Sequence, residues 1–244
     1  DNKALLRYDP DYPERLKSLP ASLRDAWLYG KWDVFAGQYF NEFDPSLHVI
    51  EPFSPDGSFV RYCALDYGLD MLAAVFVAVD ADGRAFVYDE VYHSGLIVSD
   101  AAKKIREKAA GVTVFIAPCD LWSRQKDSGK SIAEIFSENG VYLTKIFPER
   151  VQGWLCLKEW LKPIKDGEKT DCRMKITENC VNLLRTLPLL LHDGKIPGDV
   201  ATKPHEITHA PDALRYFASY RAFAPETKKD EKKAQKLSEK LRLR

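Results

Sequence analysis

The chain has few cysteines, almost no methionine, no net charge and no long apolar run, and each shortage narrows its nature. Its five cysteines, at 63, 119, 156, 172 and 180, are odd in number and show no C-x-x-C spacing. That favours reduced thiols in a cytosolic setting over a disulfide framework. Lys and Arg total 36, as do Asp and Glu, so the global charge advertises no nucleic-acid partner. It leaves room for a local basic rim around an acidic, metal-filled centre. No apolar stretch approaches the ~20 residues of a membrane span, and the polar start shows no charged-then-apolar leader. The first residue is Asp1 and the only methionines are Met71 and Met174, so the chain reads as a piece excised from a longer protein or a product of processing. Its 244 residues suffice for a substantial core.

The apolar pattern divides the chain into three parts. Residues 1–55 place Leu16, Leu19, Leu23, Trp27 and Leu28 at helical spacing before an aromatic stretch, which predicts a short helical segment and an irregular arm packing on the core. Residues 56–224 hold the core. SFVRYCALDYG, MLAAVFVAVD and RAFVYDEVYH predict three strands joined by tight turns, the second turn marked by Asp82-Gly83. Helices and strands then alternate: a helix over 99–110 capped by Ser99, the buried strand VTVFIAP, a helix over 130–138, the strand VYLTKI and a helix over 151–161. CRMKIT is a further strand candidate, followed by helices over 178–190 and 211–223. The last begins at Pro211, where a missing N–H costs nothing. Three antiparallel strands followed by alternating helices and parallel strands predict an α/β fold, a mixed sheet flanked by helices. Residues 225–244 form a charged tail, richer in Lys and Arg than in acids.

Two motifs mislead. His205-Glu206-Ile207-Thr208-His209 spells H-E-x-x-H, the zinc-protease pattern, which requires both histidines on one continuing helix. Pro211 follows two residues later, the next ligand is missing, and Ile207 and Thr208 weaken a short helix. That argues against zinc proteolysis and leaves His205 and Glu206 as loop structure. Gly129-Lys130-Ser131 lacks the first glycine of a P-loop, a position held by Arg124, so the chain is not itself an NTPase.

Three carboxylates stand at element ends. Asp66 closes the first core strand and Asp120 follows the fourth, each directly after a buried apolar run where an unpaired charge is costly. Asp212 falls in the first turn of the last helix. Each has a plainer reading: a cap before Gly68, a cap of the loop to Trp122, a helix-start carboxylate. If the first and fourth strands are parallel neighbours, however, both ends open on one edge, and the helix start can complete a cluster of oxygens. Such a set suits Mg²⁺ or Mn²⁺, and two such ions can drive phosphodiester hydrolysis. Asp70, Asp89 and Glu90 are left as outer or solvated acids.

ALDYG, FIAPCDLWS and HAPDALRY, in this order and spacing, resemble the nuclease domain of the large terminase subunits of tailed bacteriophages, which is RNase H-like. The upstream LRDAWLYGKWDVFAGQYFNEFD resembles the segment joining their ATPase half to the nuclease. The resemblance spans Tyr12 to Phe223, and DALRY is its most specific part. It implies that Asp66, Asp120 and Asp212 bind two divalent cations, Mg²⁺ or Mn²⁺, with His209 beside them. It implies an endonuclease cutting concatemeric double-stranded DNA in the cytoplasm of an infected bacterial host. Its partners would be an N-terminal ATPase domain in the full-length protein, the portal and the small terminase subunit, with no membrane. Arg124, Lys126 and Lys130 are candidates for gripping the DNA backbone. The rival readings are a Holliday-junction-resolvase-like nuclease of the same fold and a non-catalytic RNase H-like docking module.

Overall fold

The computed structural model describes residues 37–68, 70–124, 129–196 and 198–221. The first 36 residues of the predicted arm and the predicted tail lie outside the described residues, as does Lys126. In chain order the elements are α1 (Pro45–His48), β1 (Val49–Ile50), β2 (Val60–Tyr67), β3 (Met71–Val79), β4 (Ala85–Ser94), α2 (Val98–Lys108) and β5 (Val112–Pro118). A 3₁₀ turn (Cys119–Trp122), α3 (Ile132–Glu138), β6 (Leu143–Ile146) and α4 (Arg150–Leu161) come next. Then follow β7 (Ile164–Asp166), β8 (Lys169–Asp171), β9 (Met174–Thr177), α5 (Val181–Thr186), two further 3₁₀ turns (Leu187–Leu189 and His205–Ile207) and α6 (His209–Tyr220).

The main sheet has seven strands in the order β1-β9-β4-β3-β2-β5-β6, while β7 and β8 form a separate hairpin. The centre is the antiparallel meander β2-β3-β4. Its second turn is held by the Asp80 amide donating to the Arg84 carbonyl at 3.0 Å and by Gly83 at φ +77°, a left-handed conformation that glycine adopts without steric cost. On one flank β5 runs parallel to β2 and β6 parallel to β5; on the other, β9 runs parallel to β4 and β1 parallel to β9.

Side chains alternate across a strand, so β2 serves two cores. Tyr62 and Ala64 face a cluster shared with Trp154, Leu157 and Trp160 of α4, Leu183 of α5 and Ala213, Leu214 and Phe217 of α6. Cys63, Leu65 and Tyr67 face the other side, against Ala101, Ala102 and Ile105 of α2 and Phe136 of α3. The same parity puts Asp66 on the face that α6 covers. Tyr39, Phe40 and Phe43, just inside the described chain, are buried in the first core.

Several boundaries differ from the sequence reading for physical reasons. The second helix begins at Val98 with Ile97 as its cap residue, and Ser99 lies inside its first turn rather than capping it. The third begins after Ser131, whose hydroxyl accepts from the Glu134 amide while Glu134 reaches back to the Ser131 amide. Residues 178–190 do not form one helix: α5 ends at Thr186 and Pro188 enters a 3₁₀ turn. The final helix starts at His209, so Pro211 is its third residue, not its first. The first four amides of a helix have no intrahelical partner, so the proline is accommodated there without losing a bond.

Candidate active site

The parallel pairing of β2 with β5 brings Ala64 level with Ile116, so both strands end at one edge of the sheet. Asp66 stands one residue from the end of β2, and Asp120 lies in the 3₁₀ turn directly after β5. Helix α6 packs over β2, β3 and β5 and against α4, delivering His209, Asp212 and Tyr216 to that edge. The spacing of these three on a helix, three and four residues apart, keeps them on one face.

Contacts at this edge are short and specific. His209 Nδ1 lies 2.9 Å from Asp66 Oδ2, across 143 residues of chain. The Tyr216 hydroxyl donates to Asp66 Oδ1 at 3.3 Å. Asp212 Oδ1 receives Arg215 Nε at 2.9 Å and Nη2 at 2.7 Å, and Arg150 Nη1 approaches it to 3.7 Å. Arg215 is buried, with its guanidinium over the rings of Trp154 (4.8 Å) and Tyr216 (4.7 Å). Arg150 is held in turn by Asp199, which also accepts from Trp154 Nε1 at 3.0 Å.

The electrostatics show three acids acting on one volume. Burial pushes the Asp212 carboxyl above its ordinary value, and the charge of Asp66 pushes it the same way against the pull of Arg215 and Arg150. Burial also raises the Tyr216 phenol, and Asp66, Asp212 and Asp120 all add to that rise. For His209, burial works downward, but the bond to Asp66 and the charges of Asp66, Asp70 and Asp212 outweigh it and leave the imidazole above its usual value. The carboxylates at this edge are hard oxygen donors, the kind that suits Mg²⁺ or Mn²⁺.

The other candidates are placed as follows. Asp120 is exposed. The Arg124 backbone forms an isolated bridge with Ser131, and Lys130 Nζ meets Glu138 Oε1 at 2.6 Å. Glu90 is not a solvated acid: it is buried and accepts from the Asn182 amide (2.7 Å), the Asn182 side chain (2.8 Å) and the Leu183 amide (3.0 Å) at the start of α5. Asp89 pairs with Lys108 at 2.7 Å.

Two features at this edge are missing from the sequence reading. His205 is not bland loop: its 3₁₀ turn runs directly into α6, and its ring meets that of His209 edge-on with centroids 4.4 Å apart. Both rings turn toward Asp70, and Asp70, His205 and His209 offer ligand atoms that all lie within 4.8 Å of one another. The three predicted aspartates do not make up that tight group. The second feature is cationic and aromatic. Lys145, one residue from the end of β6, sits over Trp122 (5.4 Å) and over Phe147 (5.2 Å), and Phe147 is 76% exposed. The pairing of Pro118 with Ile146 puts this lip beside Asp120.

A meander extended by parallel strands on both flanks and covered by helices is an RNase H-like α/β fold. More particularly, the fold is that of the nuclease domain of phage large terminases. The P22 large terminase nuclease domain is similar over 78% of this chain and 94% of that one, at 18% identity and a TM-score of 0.60. The nuclease domain of the SPP1 large terminase, solved with bound Mn, is similar over 77% of this chain and all of that one, at 20% identity and a TM-score of 0.53. The large terminase of a thermophilic bacteriophage, solved in complex with ADP, matches 75% of this chain at 16% identity and a TM-score of 0.58. The chain covers 44% of that protein's length. No protein-family model matches the sequence, and no curated protein matches it either. Among the described residues no helix is long and apolar enough to cross a membrane.

Proposed function

We propose that this chain is the nuclease portion of a viral DNA-packaging terminase, an endodeoxyribonuclease that cuts concatemeric double-stranded DNA in the infected bacterial cytoplasm. The observation that carries the reading is the meeting of Asp66, Asp212 and His209 at the sheet edge where Asp120 also stands. The fold shared with the P22 and SPP1 nuclease domains supports it. An ATPase domain is a partner on the same reading, supported by the thermophilic-phage terminase being longer and solved with ADP; a portal and a small subunit belong to the proposal alone.

Asp66, Asp120 and Asp212 would hold two divalent ions, Mg²⁺ or Mn²⁺. Such ions, when bound, activate water and stabilise the leaving oxygen of a phosphodiester. The chain's own residues supply the rest. Arg215 and Arg150 bind one oxygen of Asp212 and favour its charged form against the burial that opposes it. Tyr216 and His209 each hold one oxygen of Asp66 and so set the plane of that carboxylate. A carboxylate only accepts, so His209 Nδ1 carries the proton in that bond. The imidazole can pass a proton at this atom. Lys145, with Trp122 and Phe147, offers a charge for a phosphate and ring faces for a sugar or base beside Asp120. Contacts of this kind give affinity with little sequence preference.

Incubation of the purified chain with plasmid and linear DNA, with Mn²⁺ or Mg²⁺ and with chelator, tests the reading. Metal-dependent double-strand cutting is expected, lost in Asp66→Asn and Asp212→Asn. A folded protein that binds DNA but never cuts it would instead support a non-catalytic docking module.

A further inference from the structure

We propose that His205, His209 and Asp70 form a second, nitrogen-rich cation site at the outer mouth of the aspartate cluster, taking a borderline divalent ion such as Zn²⁺. The inference does not depend on the chain being a nuclease. It starts from the leftover motif H-E-x-x-H and from the fact that the histidines meet although no single helix holds them.

The geometry suits a metal better than a proton. Asp70 Oδ2 lies 3.5 Å from His205 Nδ1 and 3.5 Å from His209 Nε2. Both are long for hydrogen bonds, whose usual span ends near ~3.2 Å. Two ligands each about 2.0–2.1 Å from a tetrahedral ion stand roughly 3.3 Å apart, close to the two separations from Asp70, and all three donor atoms lie within 4.8 Å of one another. The donors are two imidazole nitrogens and one carboxylate oxygen, a set that suits Zn²⁺ or Co²⁺ where the three aspartates suit Mg²⁺.

The surroundings orient the donors. A histidine that ligates through one nitrogen characteristically donates its other N–H to a carboxylate, which fixes ring and tautomer. His209 does so: Nδ1 meets Asp66 at 2.9 Å while Nε2 faces Asp70. The His205 carbonyl accepts from the Thr208 amide (3.1 Å) and hydroxyl (2.9 Å), and the Tyr92 hydroxyl donates to the Glu206 carbonyl at 2.8 Å, which pins this turn to β4. Gly68 leaves the room that Asp70 occupies, since a Cβ there would lie 2.5 Å from Asp70 Oδ1. His205 and Asp70 side chains are 65% and 62% exposed, so an ion has open access and completes its shell with water. Its arrival would tie the position of His209, and through it Asp66, to the presence of a second kind of metal.

Calorimetric titration of the metal-free chain with Zn²⁺, paired with the visible absorption of added Co²⁺, tests the site without using activity. Circular dichroism and melting of each metal-free variant check the fold. The expected result is one nitrogen-liganded ion per chain, weakened at least about tenfold in His205→Ala and in Asp70→Asn, and kept in Asp120→Asn. No binding by the unaltered chain would overturn the proposal. So would binding that survives both His205→Ala and Asp70→Asn, and so would binding lost in Asp120→Asn, which would assign the ion to the aspartate cluster. Because cutting is not the readout, a chain that cuts no DNA can still show the site, and a nuclease can lack it.

Discussion

His209 Nδ1 and Asp66 Oδ2 meet at 2.9 Å, joining the first turn of the last helix to the end of a central strand 143 residues earlier. The contact exists because β2 alternates, placing Asp66 on the face that α6 covers, and because α6 begins at His209 rather than at Pro211. A single bond thus records the docking of helix on sheet at the proposed site.

The pH behaviour of this contact follows from its sign. The imidazole pKa in the folded chain is raised, since Asp66, Asp70 and Asp212 outweigh burial. The stability it contributes is therefore fully present below the unfolded value, about 6.5, and is lost as pH rises through the higher folded value. NMR titration of His209 in metal-free protein should give a value above the ordinary histidine value. Asp66→Asn should move it downward; an unchanged titration would show that the Asp66 bond is not its cause.

The buried pair Arg215–Asp212 should be costly to break. Arg215→Ala leaves a buried carboxylate short of its main partner and empties space over Trp154, so a loss of about 3–5 kcal/mol is expected. Denaturant unfolding measures it. Arg215→Lys should recover little, because an ammonium cannot reproduce the two guanidinium bonds to one oxygen.

Gly153 marks a close approach of α4 to α6. A Cβ there would lie 2.7 Å from Ser219 Oγ and 2.9 Å from Arg215 Cγ, and the Arg215 head is fixed by Asp212, so that chain has no free end to swing aside. Gly153→Ala should cost about 1–3 kcal/mol through overpacking, outweighing the alanine's helix propensity. It should also weaken metal-dependent cutting by shifting Asp212, read as lost activity in a protein that still folds.

Much of this is legible in sequence. Short apolar strands joined by tight turns predict the meander, the buried run VTVFIAP predicts β5, and the three aspartates fall at element ends without knowledge of the sheet. What sequence misplaces has specific causes. Placing Pro211 at the first helical position, when it is the third, puts the start of α6 two residues late and hides the approach of His205 to His209. Glu90 cannot be assigned from sequence because its partners are the amides of α5, brought beside β4 only by the crossover of β9. The hairpin of β7 and β8 is silent in the apolar pattern because its short strands are polar, with β8 exposed throughout. Lys145 is anonymous in sequence because only the β5–β6 register puts it over Trp122.

That lip predicts a DNA phenotype. Lys145→Ala should weaken binding about equally for unrelated sequences and reduce the salt slope by roughly one unit. Fluorescence anisotropy across a salt series reads both. A loss confined to one sequence would point to base readout instead.

The central claim is that Asp66, Asp120 and Asp212 hold the ions of a phosphodiester-cutting centre, and anomalous diffraction from crystals soaked in Mn²⁺ tests it most directly. The account predicts Mn²⁺ bound by carboxylate oxygens of Asp66 and Asp212, with Asp120 completing the site. Ions found only on other residues, or none at all with the three carboxylates free in the crystal, would contradict it.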